Sequence, residues 1–274
     1  MVTRKDYTVE KVRAALSVLL ELVHLLGEYR EEIALIGGWV PEMLLPVQEK
    51  PHVGSMDIDL ALDHRKLKEE GYKTIRELLL SRGYQQGEHP YIFYRQITLE
   101  GAEVRVEVDF LSGEYEGTGK SHRHQKIQDI LARKARGCDL VFDMQKEITI
   151  EGELPGGAKD SVTIRVATIV PFFIMKGIAL DDRFKEKDAW DIYYCIQNYP
   201  GGIDGLVEEF RPHMDHGLIR EGLEKIAKHF ESETHLGPKF VADFEELTDL
   251  DAREVLQRDA YEKVNYLLKK LRIV

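Results

Sequence analysis

Asp57 and Asp59 are the two residues whose type and spacing most directly suggest chemistry. They stand in Asp57-Ile58-Asp59-Leu60, where polar and apolar residues alternate strictly. Alternation of this kind predicts a strand with one buried face, so the two carboxylates emerge on the same face. Crowded carboxylates repel, and each resists ionisation unless a cation answers them. A divalent metal is the simplest remedy, and oxygen-only ligands favour Mg²⁺ or Mn²⁺. A second alternating run, Val104 to Leu111, sends Val104, Val106, Val108 and Phe110 one way and Arg105, Glu107 and Asp109 the other. If this strand lies beside the first, Asp109 joins the pair, with Glu107 on the same face as the alternative third carboxylate. The plainer reading of these positions is a solvated strand face that binds nothing.

The elements that must hold these carboxylates are legible around them. Ile33, Ala34, Leu35 and Ile36 form an apolar run that stops at Gly37-Gly38. Trp39, Val40, Met43 and Leu44 follow at helical spacing, and a Pro-bounded loop leads to Ser55 and the Asp strand. Upstream, apolar residues at steps of three and four predict a helix from Thr8, its N-cap, to about Leu26, with Gly27 as its stop. Downstream, a helix is expected from near Lys66 to Ser81, then strands over Tyr91–Leu99 and Val104–Leu111. Glu147–Glu153 and Ser161–Val166 flank Pro155-Gly156-Gly157 as a hairpin. The stretch Lys120 to Arg136, with Arg123, Lys126, Arg133 and Lys134, reads as a basic helix after a Gly-rich loop. From Thr168 onward the pattern is helical, including a last helix from Ala252 to about Arg272.

A second group of charged residues lies in VPFFIMKGIALDDRFKEKDAWDIYYCI. Apolar neighbours predict that Lys176 is partly desolvated. In one continuous helix Lys176, Arg183, Lys187 and Asp191 would share a broad stripe, with Asp181-Asp182 as the place to break it. Salt bridges at a spacing of four would account for Arg183, Lys187 and Asp191. They would not account for a lysine inside an apolar run.

The Gly37-Gly38 turn between strand and short helix, followed by Ser55-x-Asp57-Ile58-Asp59, resembles the nucleotidyltransferase superfamily of DNA polymerase beta. Within it the chain looks most like the AbiEii-type toxin branch of minimal nucleotidyltransferases. Pro171, Lys176, Arg183, Lys185, Lys187, Asp188 and Asp191 match the later motif of that branch, in order. The resemblance covers roughly Glu32 to Ile196. It implies transfer of a nucleoside monophosphate from an NTP to a hydroxyl, with Asp57, Asp59 and Asp109 as catalytic carboxylates and ligands of two Mg²⁺ or Mn²⁺ ions. It further implies that Gly37, Gly38 and Ser55 face the phosphates, that Lys176, Arg183 and Lys187 neutralise them, and that Asp188 supports the pocket. An antitoxin protein is the partner this branch would imply. The chain departs from the pattern in its longer loop before Asp57, in Trp39 where Ser or Thr often follows the glycines, and in Val53 where a basic residue is usual. These departures touch the phosphate end of the pocket more than the metal end.

The chain has 274 residues, 43% of them hydrophobic, enough for one large domain or two ordinary ones. Asp and Glu number 49 against 38 Lys and Arg, a formal charge of −11, which excludes a surface basic all over. Two cysteines, Cys138 and Cys195, make neither a disulfide framework nor a metal motif and suit a reducing cytosol. The N-terminus shows no secretory pattern and no segment is long enough to cross a bilayer, so a cytoplasmic protein without membrane contact is expected. The expected fold is α+β: a nucleotidyltransferase-type mixed sheet with flanking helices over residues 1–166, then a helical domain over 167–274 that closes the active-site cleft. The basic stretch Lys120–Arg136 suggests a second anionic ligand, for which an RNA 3′ end, tRNA in particular, fits. Two rivals stand beside this reading: a non-catalytic nucleotide-binding module of the same fold, and a D-x-D glycosyltransferase.

Overall fold

In the computed structural model, which describes residues 2–45, 50–67, 73–113 and 124–274, helices and a mixed sheet alternate along the first 168 residues and helices alone follow. Lys120 and Arg123 of the basic stretch, Pro46 to Glu49 of the long loop, and residues 68–72 of the expected early helix lie outside the described residues. The elements run α1 (Val9–Leu25), β1 (Ile33–Ile36), α2 (Val40–Leu44), β2 (Asp57–Leu62), α3 (Ile75–Ser81), β3 (Gln85–Gln86), β4 (Ile92–Leu99) and β5 (Ala102–Ser112). They continue with β6 (His124–Ile127), β7 (Ile130–Lys134), α4 (Leu140–Asp143), β8 (Gln145–Glu153) and β9 (Lys159–Ala167). The helices α5 (Ile169–Arg183), α6 (Glu186–Asn198), α7 (Gly202–Phe210), α8 (Gly217–His229), α9 (Leu236–Phe244) and α10 (Leu250–Lys270) complete the chain.

These elements form two compact units. The sheet unit comprises Tyr7–Val40 and Gly54–Thr168. The helical unit comprises Ile169–Val274 together with two earlier segments, Met1–Asp6 and Pro41–Val53.

In the sheet unit the strands run in the order β3-β4-β5-β2-β1-β9-β8, and β7 pairs along β5 beyond the end of β4. The sheet is mixed: β2 is parallel to β5 and β1 to β9, whereas β1/β2, β4/β5 and β8/β9 are antiparallel. Helix α1 starts where Thr8 accepts a hydrogen bond from the Lys11 amide at 3.4 Å, satisfying one of the open donors of the first turn. Its buried side chains Leu19 and Leu22 share a narrow gap with Ile33, Leu60 and Ile164. Leu60 alternates with Asp57 and Asp59 along β2, so α1 covers the face opposite the carboxylates. Buried Glu21 fastens α1 to β4 and to the end of α3 by accepting from Arg95 Nε at 2.7 Å and Arg82 Nε at 3.1 Å. Burial alone would raise the Glu21 carboxyl, but Arg95 and Arg82 hold it below the usual carboxylate value.

The described part of the basic stretch folds as a hairpin and not as a helix. Over its described part, β6 and β7 pair from Ile127↔Ile130 back to His124↔Arg133. Ile130 and Ala132 are buried while Leu131 between them is exposed, a period of two in place of 3.6. Gln128 takes the turn at φ 52°. Its Oε1 accepts from the Ile75 amide at 3.2 Å, and Asp129 accepts from the Arg76 amide at 3.4 Å and from the Thr74 hydroxyl. The turn therefore docks on the N-terminus of α3, whose open donors and positive dipole end attract it.

In the helical unit, α5 stops at Arg183 and α6 starts at Glu186, separated by Phe184 at φ 52° and by Lys185. The break lets α6 fold back on α5. Helices α5 and α8 approach closely because Gly177 and Gly222 face each other: a Cβ on Gly177 would lie 2.4 Å from the Gly222 carbonyl oxygen. Among the described residues no helix is long and apolar enough to cross a membrane.

Candidate active site

The register of β2 on β5 decides which acidic residues meet. Asp59 lies directly beside Asp109, and Asp57 beside Glu107, on neighbouring parallel strands. Residues two apart on a strand share a face, so all four carboxylates form one row on the face that α1 leaves open. Asp57 is exposed and Asp59, Glu107 and Asp109 are half-buried, while Ile58, Val106, Val108 and Phe110 between them are buried on the other side. The third carboxylate expected from the sequence is thus a neighbour of the pair, and its alternative, Glu107, stands in the same row.

The Gly37-Gly38 turn meets this row at Asp59. Strand β1 pairs Ile36 with Asp59, and Gly37 then turns at φ 70°. A Cβ at Gly37 would lie 2.0 Å from Asp59 Oδ2. Only glycine satisfies both the left-handed backbone and the approach of the carboxylate. Ser55 donates its hydroxyl to Asp57 Oδ1, which fixes the direction of that side chain. Trp39, buried, donates Nε1–H to the Asp57 carbonyl at 2.9 Å. Trp39 therefore braces the strand that carries the carboxylates.

Arg133 on β7 enters the same face. It is paired with Leu111, two residues beyond Asp109, and its Nη2 lies 3.7 Å from Asp109 Oδ2. The guanidinium also sits over the Tyr91 ring at 5.6 Å. Nothing in the sequence pairs Arg133 with Asp109, because the contact depends on β7 extending the edge of β5. As they stand, and among the described residues, no group of three or more His, Cys, Asp or Glu side chains is arranged to hold a metal ion. The donor set of the row is nevertheless all carboxylate oxygen, the chemistry of a hard divalent cation.

Beyond the row, Ser112 at the end of β5, His64 just after β2 and Asp139 at the start of α4 come together. Both Ser112 Oγ, at 3.3 Å, and Asp139 Oδ1, at 3.6 Å, address His64 Nδ1. A Ser-His-Asp relay uses both ring nitrogens, so this set lacks that geometry.

The second group of sequence candidates assembles in the helical unit. Lys176 on α5 is 7% exposed, and its Nζ lies 2.7 Å from Asp188 Oδ1 and 2.6 Å from Asp191 Oδ2 on α6. Arg183 Nε reaches the second Asp188 oxygen at 2.8 Å, and Lys187 Nζ reaches Asp191 at 2.9 Å. Burial opposes the charge on Lys176, but Asp188 and Asp191 outweigh it and raise its pKa above the usual lysine value. Burial likewise opposes ionised Asp188 and Asp191, and the neighbouring cations hold both below the usual carboxylate range. The ammonium expected to face a phosphate is thus turned inward between two carboxylates, and Arg183, with 41% of its side chain exposed, is the more open cation.

His52, which carried no signal in the sequence, completes this group. Its Nε2 lies 3.0 Å from Asp191 Oδ1, and its ring contacts Trp190 at 5.1 Å and Tyr194 at 5.0 Å. Burial, then the charge of Lys187, pushes its pKa down to about 4, so the neutral ring donates to Asp191. Tyr194 also donates to the Lys50 carbonyl at 3.1 Å, tying the segment before Gly54 to α6. In comparisons with known proteins, no family model, no curated protein and no solved structure matches this chain.

Proposed function

We propose that the sheet unit carries the catalytic carboxylates of a metal-dependent nucleotidyltransferase, built on a nucleotidyltransferase-type fold, which moves a nucleoside monophosphate from an NTP to a hydroxyl. The observation that carries this reading is the register that sets Asp59 beside Asp109 and Asp57 beside Glu107, with the Gly37 turn against Asp59. Asp57, Asp59 and Asp109 would hold Mg²⁺ or Mn²⁺, which when bound stabilises charge on the phosphoryl oxygens and favours ionisation of the acceptor hydroxyl. Ser55 keeps Asp57 oriented, and Gly37 leaves room for the Asp59 carboxylate. Arg183 and Lys187 are the cations this reading assigns to the triphosphate, where charge spreads over non-bridging oxygens in the transition state. Lys176 acts one step back, holding Asp188 and Asp191 so that the outer cations keep their positions.

The acceptor in this reading is an RNA 3′ end, tRNA in particular. Lys126 and Arg136 are exposed and Lys134 half-exposed on or just after the β6–β7 hairpin, next to the strand that bears Asp109. Phosphate contacts there would make RNA binding weaken steeply with salt. Incubating the chain with labelled NTP, Mg²⁺ and total RNA, protein or small hydroxyl compounds tests the reading. Label should pass to RNA and stop in the Asp57→Asn, Asp59→Asn double variant. Transfer by that variant at the wild-type rate would refute it. A second reading, a nucleotide-binding module without turnover, is favoured by the carboxylates not closing into a metal cage as they stand. Nucleotide binding that needs no divalent metal, without transfer to any acceptor, would support it.

A further inference from the structure

We propose that Arg133 is the resident counter-cation of the carboxylate row and competes with the divalent metal for Asp109. The inference rests on the metal-dependent reading of that row. Four carboxylates on one half-buried face repel unless positive charge is brought to them. The chain supplies such charge from the next strand: Arg133 Nη2 is 3.7 Å from Asp109 Oδ2. Its position is built and not accidental. Pairing of β7 with β5 places Arg133 beside Leu111 on the Asp109 face. Tyr91 lies under the guanidinium at 5.6 Å, and the Tyr91 carbonyl accepts from the Phe110 amide at 3.0 Å, next to Asp109. The ring and the carboxylate are thus fixed to one strand, and together they hold the guanidinium over the acidic face.

An oxygen of Asp109 that faces a guanidinium is a poorer ligand for a divalent ion, and the two cations repel each other. Metal entry must therefore turn Asp109 from Arg133 toward Asp59. The same pairing accounts for a row with the ligand types of a metal site whose side chains do not converge on one centre. It makes metal binding weak until an anionic substrate arrives to take the guanidinium, so that metal and nucleotide bind together.

The test is Mn²⁺ binding to the full chain without nucleotide, read from the electron paramagnetic resonance signal of free Mn²⁺. Arg133→Gln should bind Mn²⁺ roughly tenfold more tightly than wild type, the scale of losing one neighbouring like charge. Arg133→Lys, which keeps the charge, should stay near wild type, and Tyr91→Leu, which removes the ring under the guanidinium, should fall between. Lys126→Gln removes an equal charge from the same hairpin and should leave the affinity for Mn²⁺ at the wild-type value. An Arg133→Gln affinity equal to or weaker than wild type overturns the inference. So does equal tightening by Lys126→Gln, which would show a general charge effect. In both cases Mn²⁺ binding that is lost in Asp57→Asn, Asp59→Asn leaves the proposed function standing. Absence of Mn²⁺ binding in all of these proteins overturns both.

Discussion

The carboxylate row of the sheet unit and the ion cluster of the helical unit are both dense in charge, and they differ in how that charge is answered. In the cluster each buried acid meets cations of its own chain: Asp188 meets Lys176 and Arg183, and Asp191 meets Lys176, Lys187 and the neutral His52. In the row, acids stand beside acids at Asp59/Asp109 and Asp57/Glu107, and Arg133 approaches one end at 3.7 Å. A buried charge must be matched within the protein, because water no longer screens it. A half-exposed row of like charges stays in contact with water, which screens the repulsion that burial would make prohibitive. The cluster accordingly joins α5 to α6, and the row is where the proposed reaction would take place.

Substitutions should separate the two. The largest effect is expected in the row: Asp57→Asn with Asp59→Asn should lower labelled-nucleotide transfer by about a thousandfold or more, while thermal unfolding stays at or above wild type. A loss of stability there would remove the contrast. Next comes the cluster, where Asp191→Asn leaves Lys176 and Lys187 without their shared partner. Urea unfolding should show a loss of about 3–5 kcal/mol, the scale of breaking a buried ion pair from one side. A change below about 1 kcal/mol would mean that the cluster is solvated like a surface pair.

His52 sharpens the comparison through pH. Its folded pKa is depressed to about 4, against about 6.5 in an unfolded chain. The unfolded state therefore binds the extra proton between these values. The stabilisation linked to a neutral His52 is complete above pH 6.5 and lost as pH falls toward 4, at most about 3 kcal/mol. Comparing unfolding free energies of wild type and His52→Asn at pH 7.5 and pH 5 should show the flatter profile in the variant; parallel profiles would mean that His52 is not buried neutral. The smallest effect on stability belongs to Arg183, whose side chain is 41% exposed. Arg183→Ala should cost no more than about 1 kcal/mol, yet weaken NTP binding more than binding of the bare nucleoside. Equal weakening of both would assign Arg183 to structure alone.

Much of this molecule was determined locally. Strict alternation in Asp57–Leu60 and Val104–Leu111 made strands, because a period of two is the only way to bury one set and expose the other. Thr8 and the spacing of Val12, Leu16 and Leu19 made α1, and Gly37 marked a turn that no residue with a Cβ could make against Asp59. The row of carboxylates was therefore legible as a set of candidates. Their meeting was not, since only the parallel register of β2 on β5 puts Asp109 at Asp59. The basic stretch misled for a related reason: IQDILARK fits a helix by charge and propensity, but its turn finds the open amides of α3, and Ile130 and Ala132 bury as a strand. Lys176 was legible as unusual, a cation in an apolar run. Its role was decided by the break at Phe184, which folds Asp188 and Asp191 onto it. His52 left no trace in the sequence, and Arg133 was legible only as one charge of the basic stretch, because each owes its position to residues remote along the chain. Local pattern sets which face a side chain takes, whereas long-range pairing sets which charges share a space.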